Sequence, residues 1–146
     1  MAQVSRPFQY AVKALVQAHM PDHPYHYGGV QVPDSELVYP YLVHWPVPAT
    51  GEIANLAGNL IPKLNECRFV ACGRDTDEVL WALDEIATAL VGQRPVIDGW
   101  NCNLIRQVPD RAPVVENTKA LWQGRPTWTG WGLYRMGAEP AAVTTS

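Results

Sequence analysis

Three of the four histidines, His19, His23 and His26, fall within eight residues in the run HMPDHPYH, with Asp22 among them. His19 and His23 have the i, i+4 spacing that sets two imidazoles on one helix face, as zinc hydrolases use it. A small metal-dependent enzyme built on His19, Asp22, His23 and His26 is therefore one reading. The backbone argues against it. Pro21 and Pro24 interrupt the segment, so no helix can align the pair. The general-base glutamate of the zinc-hydrolase pattern is also missing. His19 instead continues the apolar stripe of the preceding residues into a last helical turn. There an imidazole can bond a free carbonyl and favours the negative end of the dipole. His23 and His26 are expected in solvated loops, and the sequence names no partner for His44. No metal ligand and no cofactor is expected.

Nucleophilic chemistry is no better supported. No G-x-S-x-G run occurs, and Ser5, Ser35 and Ser146 lie in terminal or turn contexts. Cys67, Cys72 and Cys102 match no zinc or redox spacing and read as small buried hydrophobes. Cys67 and Cys72 point to opposite faces if one strand holds both, which argues against a disulfide and for a reducing compartment. Asp75, Asp77, Glu78, Asp84 and Glu85 resemble a catalytic cluster only until a helix is drawn through them. Three then oppose the dipole in its first turn, and two lie on or near the solvated side. Gly130-Trp131-Gly132 lacks the strand-to-helix setting of a phosphate loop. The expectation is a chain that is not an enzyme.

The elements that position these residues follow from periodicity. Ser5 is a candidate cap for a helix over 6–20, with Phe8, Ala11, Val12, Leu15 and Val16 on one face. Leu37 to Trp45 alternates as a strand, with Tyr39, Tyr41, Val43 and Trp45 on one side and Leu42 and His44 on the other. Pro40 lacks a donor, so that strand is at an edge or begins near there. Residues 46–65 read as a long loop or insertion, and Glu66 to Cys72 as a buried strand. Asp75 caps the clearest helix, with Glu78 completing a capping box. Its stripe is Val79, Leu80, Leu83, Ile86, Ala87 and Leu90, and Gly92 stops it. Short strands are predicted at 95–97, 101–108, 113–115 and 127–136, with Asp98-Gly99 as a turn. The chain of 146 residues is expected as a single domain over 1–146, with 1–4 and 139–146 flexible. The fold class is α+β, a mostly antiparallel β-sheet with two main helices packed on it. The start of the chain shows no apolar signal core and no window approaches a membrane span, so folding in a cytoplasm is expected.

What chemistry leaves over points to surfaces. Trp81 lies opposite the core stripe, and Trp128 and Trp131 face opposite sides of a regular strand. Residues 1–93 hold ten acids against five bases, while 94–135 hold six bases against three acids. A divided sign suits head-to-tail contacts between copies, with Arg94 and Arg106 on the basic side. The formal net charge of −3 gives no footprint of a sequence-reading nucleic-acid binder.

The run YPYLVHWPVP, a variable insertion, then ECRFVACGRDTDEVLWALDEIATALVG and RPVIDGW together resemble the tail terminator proteins of long-tailed, siphovirus-type bacteriophages, those of actinobacteria above all. In that family a strand ending in a small residue and Gly-Arg leads into a capped helix with an aromatic near its start. The resemblance spans roughly residues 5–136. It implies a structural virion protein that forms a ring, a hexamer, on the last ring of the tail tube. Such a ring would join the tube to the neck or head-completion protein, and phage DNA would pass through its lumen unread. It implies assembly in the host cytoplasm and a final place in the virion, at the tail–neck junction. The residues assigned to subunit or partner contact are Arg74, Asp77, Trp81, Glu85, Arg94, Arg106, Trp128 and Trp131, with the 46–65 segment facing tube or neck. Pro40, Pro46 and the HMPDHPYH turn depart from the family pattern. A neck or head–tail connector subunit of similar fold is the alternative from the same setting.

Overall fold

Phe8, Val12 and Val16 are fully buried along one face of the first helix, α1 (Ser5–His19), and they determine how it lies on the sheet. The computed structural model describes residues 3–51, 62–109 and 112–141. Ser5 does not cap α1. Val4 holds the N-cap position without a side-chain bond, and Ser5 Oγ accepts from the Ala49 N–H at 3.0 Å. Val4 is itself buried in the core.

After α1 come a short strand β1 (Tyr25–Tyr27), a 3-10 turn at Asp34–Glu36 and β2 (Tyr41–Gly51). β1 runs parallel to β2, with Tyr25 opposite Leu42 and Tyr27 opposite His44. β2 begins later than the sequence suggests and continues through Pro46 and Pro48. β1 covers it only as far as His44, and beyond that its outer edge has no strand partner among the described residues. A missing N–H is tolerated on such an edge. Residues 46–51 and 63–65 are therefore strand and not loop. The rest of the predicted loop, 52–61, lies outside the described residues.

β3 (Lys63–Gly73) is flanked by β2 on one side and β7 (Arg125–Pro140) on the other, antiparallel to both. Between them in sequence come α2 (Thr76–Leu90), β4 (Trp100–Cys102), β5 (Arg106–Val108) and β6 (Val115–Trp122). The far edge of β7 is tiled by β6, β5 and β4 in turn, all antiparallel to it. The result is the expected α+β fold: a seven-stranded, mostly antiparallel sheet with two helices on one face.

Several details differ from the periodicity. Residues 95–97 form no strand, only a bridge from Ile97 to Trp100 around Asp98-Gly99, with Gly99 at φ 82°. The 101–108 strand is split in two. The weak 113–115 signal is the start of β6, which pairs with β7 across a Gln123-Gly124 turn in the left-handed region, at φ 49° and 76°. Such a turn matches the twist of the two strands. β7 extends to Pro140, and so includes the first two residues of the 139–146 segment. In α2, Leu80 is 51% exposed, and Ala82 and Ala89 are buried in its place. The buried arc of α2 faces both the sheet and α1, and small side chains let those layers approach.

The Asp75 cap is as expected, with Oδ1 accepting from the Glu78 N–H at 2.8 Å. Glu78 reaches back one residue further than a standard box and accepts from the Arg74 N–H at 2.9 Å. The closest packing is at Gly130. A Cβ there would stand 2.9 Å from both Val79 Cγ1 and Leu83 Cδ1 on α2. Leu83 can turn away, but a helical valine has one favoured rotamer, so α2 must move. Gly130→Ala is expected to destabilise the fold by about 1–3 kcal/mol, read as a lowered urea midpoint with unchanged slope.

Candidate interaction surfaces

The helix stop at Pro21 sends the three clustered histidines to different places. His19 donates from Nε2 to Glu85 Oε2 at 2.6 Å, tying the end of α1 to α2. It bonds a carboxylate rather than a helix carbonyl. His23 lies against the Trp81 ring at 4.9 Å between centroids. His26, within β1, meets the Tyr41 ring edge-on at 5.5 Å, and its Nε2 is buried without a hydrogen-bond partner among the described residues. His23 lies in a loop as expected and His26 in a strand, and both are half-buried. Burial holds the His26 imidazole below its ordinary pKa. Among the described residues, no three His, Cys, Asp or Glu side chains are grouped so as to hold a metal.

The histidine without a predicted partner, His44, has the most contacts of the four. It is fully buried, stacked on Phe69 at 4.8 Å and met edge-on by Tyr27 at 4.9 Å. Its Nε2 lies 2.7 Å from Gln9 Oε1, and its Nδ1 meets the Tyr25 hydroxyl. Gln9 Nε2 donates to two carbonyls, Glu66 O at 2.7 Å and Val47 O at 3.2 Å. Two carbonyl acceptors fix the amide orientation, so Oε1 must accept and His44 Nε2 must carry the proton. Nδ1 is then the acceptor and Tyr25 the donor. Burial, with the nearby Lys13 ammonium adding to it, lowers the His44 pKa to about 4. Val47 and Glu66 are opposite each other in the β2–β3 register, next to an irregularity between Val47 and Thr50. Gln9 therefore clasps the hairpin where its ladder is disturbed. An apolar helix stripe read by hydrophobicity alone skips a glutamine, and no sequence signal would have paired it with His44.

The other face of the sheet carries no α-helix among the described residues. Tyr41, Val43 and Cys72 form a small cluster there with Leu37, Tyr39 and Val70. The register aligns Val43, Val70 and Trp131 in one row, and Trp45, Arg68 and Leu133 in the next. Arg68 lies over the Trp131 ring, 5.8 Å from its centroid. Tyr41, Val43, Trp45, Arg68, Val70 and Trp131 are among the side chains that line an open depression of about 640 Å³. Trp45 is 43% exposed and Trp131 44%. Strand alternation separates the paired tryptophans as expected, with Trp128 packed against the helix-side core and Trp131 on the open face. It separates the cysteines too: Cys67 lies in the helix-side core and Cys72 beside Tyr41. All three thiols are free, and burial raises their pKa values.

The remaining residues assigned to contact are scattered. Arg74 is engaged within the chain: its guanidinium makes a forked bond to Glu78, 2.6 Å at the shortest, and lies 5.3 Å over Trp122. Glu85 is engaged by His19. Asp77 and Trp81 are exposed on the outer face of α2. Arg94 and Arg106 are exposed, Arg106 facing Arg135 across the β5–β7 ladder.

A sheet open on one face and covered by two helices on the other defines the class of fold without defining a catalytic centre. No protein-family model and no curated protein sequence matches the chain. Its fold is similar to that of a chain in the solved virion of a native gene transfer agent particle. The TM-score is 0.61 at 13% sequence identity, over 90% of this chain and 93% of that one.

Proposed function

We propose that the protein is a structural component of a phage-like virion and acts as a tail terminator. In this reading it is a ring, a hexamer, that caps the tail tube, receives the neck or head-completion protein and lets DNA pass unread. The observation that carries the proposal is the correspondence of nearly the whole fold, from end to end, with a virion chain. Ring closure needs two different faces on each copy, and the two layers of this fold differ in kind. One is helical, with exposed acids on α2, and the other is an open, aromatic sheet.

Deleting the gene in its phage and imaging the products tests the assignment. Overlong tails are the expected result. Tails of normal length beside unjoined heads would mean a neck or head–tail connector subunit instead. Metal analysis of the purified protein tests the enzymatic reading of His19, Asp22, His23 and His26. Less than a tenth of an equivalent of zinc, nickel or iron is expected, and a stoichiometric metal would overturn the structural role.

A further inference from the structure

The outer face of α2 carries an exposed stripe at i, i+3, i+4, i+7 spacing: Asp77, Leu80, Trp81 and Asp84. Leu80 is 51% exposed and Trp81 44%, large apolar groups that a solvated helix face does not need. Neither Asp77 nor Asp84 has a salt-bridge partner among the described residues. On the opposite side of the molecule, the open sheet face centres on Arg68, which has no carboxylate partner there either. One face thus offers apolar side chains with unpaired acids, and the other an aromatic groove with an unpaired cation. The dimensions agree. From Asp77 to Leu90 the α2 helix extends about 20 Å, and from Tyr41 to Val47 a strand extends about 20 Å. The three strands β2, β3 and β7 span about 10 Å between their outer axes, close to the diameter of a helix.

We propose that α2 of one copy docks on the open sheet face of the next, with Asp84 meeting Arg68 and with Leu80 and Trp81 seated beside Val43, Val70 and Trp131. This deepens the ring reading and rests on it, naming the two surfaces that meet. Helices and open face lie on opposite sides of one sheet, so the contact is heterologous. It cannot close a two-fold dimer and repeats around a ring. Arg74 and Glu85, satisfied within the chain, take no part in it.

The test uses the full-length chain and the variants Arg68→Asp and Asp84→Arg, with light scattering after size exclusion. Circular dichroism and a urea melt verify that each variant folds; both sites are on the surface. Wild type is expected to form a closed ring, and each single variant to dissociate at least tenfold more readily. An equimolar mixture of the two variants should assemble again. In alternation, each reversed groove meets a reversed helix and each native groove a native helix, which an even-numbered ring permits. Single variants that assemble as wild type does would overturn the docking and leave the ring reading intact. A mixture that fails to recover would also overturn the docking. A wild-type chain that stays monomeric at its highest soluble concentration would overturn the ring itself.

Discussion

Acidification from pH 7 to pH 4 is expected to remove about 3 kcal/mol of folding stability through His44 alone. The imidazole titrates near 6.5 in the unfolded chain and about 4 in the folded one. Between those values the unfolded state binds a proton that the folded state refuses. The contribution is therefore fully present above pH 6.5, falls steadily toward pH 4 and changes little below it. The cause is geometric as well as dielectric. A second proton would have to enter at Nδ1, where the Tyr25 hydroxyl already donates, and burial on Phe69 leaves water no access. The nearby Lys13 ammonium opposes the added charge. Urea unfolding across the pH range, for wild type and His44→Phe, isolates the effect, since the variant has no proton to gain at this site. Nitrogen chemical shifts should report a neutral Nε2–H tautomer persisting at pH 5. An imidazole that titrates near its ordinary value, or an equal pH slope in both proteins, would refute the assignment.

Gln9→Leu is expected to destabilise the fold by about 3 kcal/mol or more, because it strands several buried groups together. His44 Nε2–H loses its acceptor, and the Val47 and Glu66 carbonyls lose their donor. Leucine keeps much of the volume, so the loss reports the hydrogen bonds rather than a cavity. Gln9→Glu gives a sharper signature. A carboxylate would oppose two carbonyl oxygens, so the folded state holds the acid protonated and its pKa is raised. A raised pKa means stability lost as pH increases, opposite in sign to the His44 effect. Urea midpoints at pH 5 and pH 8 read both variants. A Gln9→Leu protein as stable as wild type would show the network to be incidental.

Much of the frame was legible in the sequence because it rests on local rules. The two helices, the Asp75 cap and the alternation of Tyr41 to Trp45 follow from periods of 3.6 and 2, and each holds in the fold. The opposite placement of Trp128 and Trp131 follows from parity alone. The errors fall where local signals are weak. β6 is edge-exposed and carries little apolar alternation, so only its pairing with β7 reveals it. β1 is three residues long and exists because Tyr25–Tyr27 can lie beside Leu42–His44. Prolines make 46–51 read as loop, yet an uncovered strand edge accommodates Pro46 and Pro48.

The histidines mark the division most clearly. By itself the sequence determined that HMPDHPYH stops a helix, since proline removes a donor and restricts its neighbour whatever surrounds it. It also determined which residues face together along each strand and helix, since backbone geometry is local. Only the tertiary structure decided that His44, far from the cluster, is the buried imidazole, with a tautomer dictated by Gln9 and Tyr25. Only the fold set Arg68, without a carboxylate partner among the described residues, in an aromatic groove opposite an acidic helix stripe. Those relations join residues distant in sequence. Their energies depend on burial and partner geometry, which no local pattern contains.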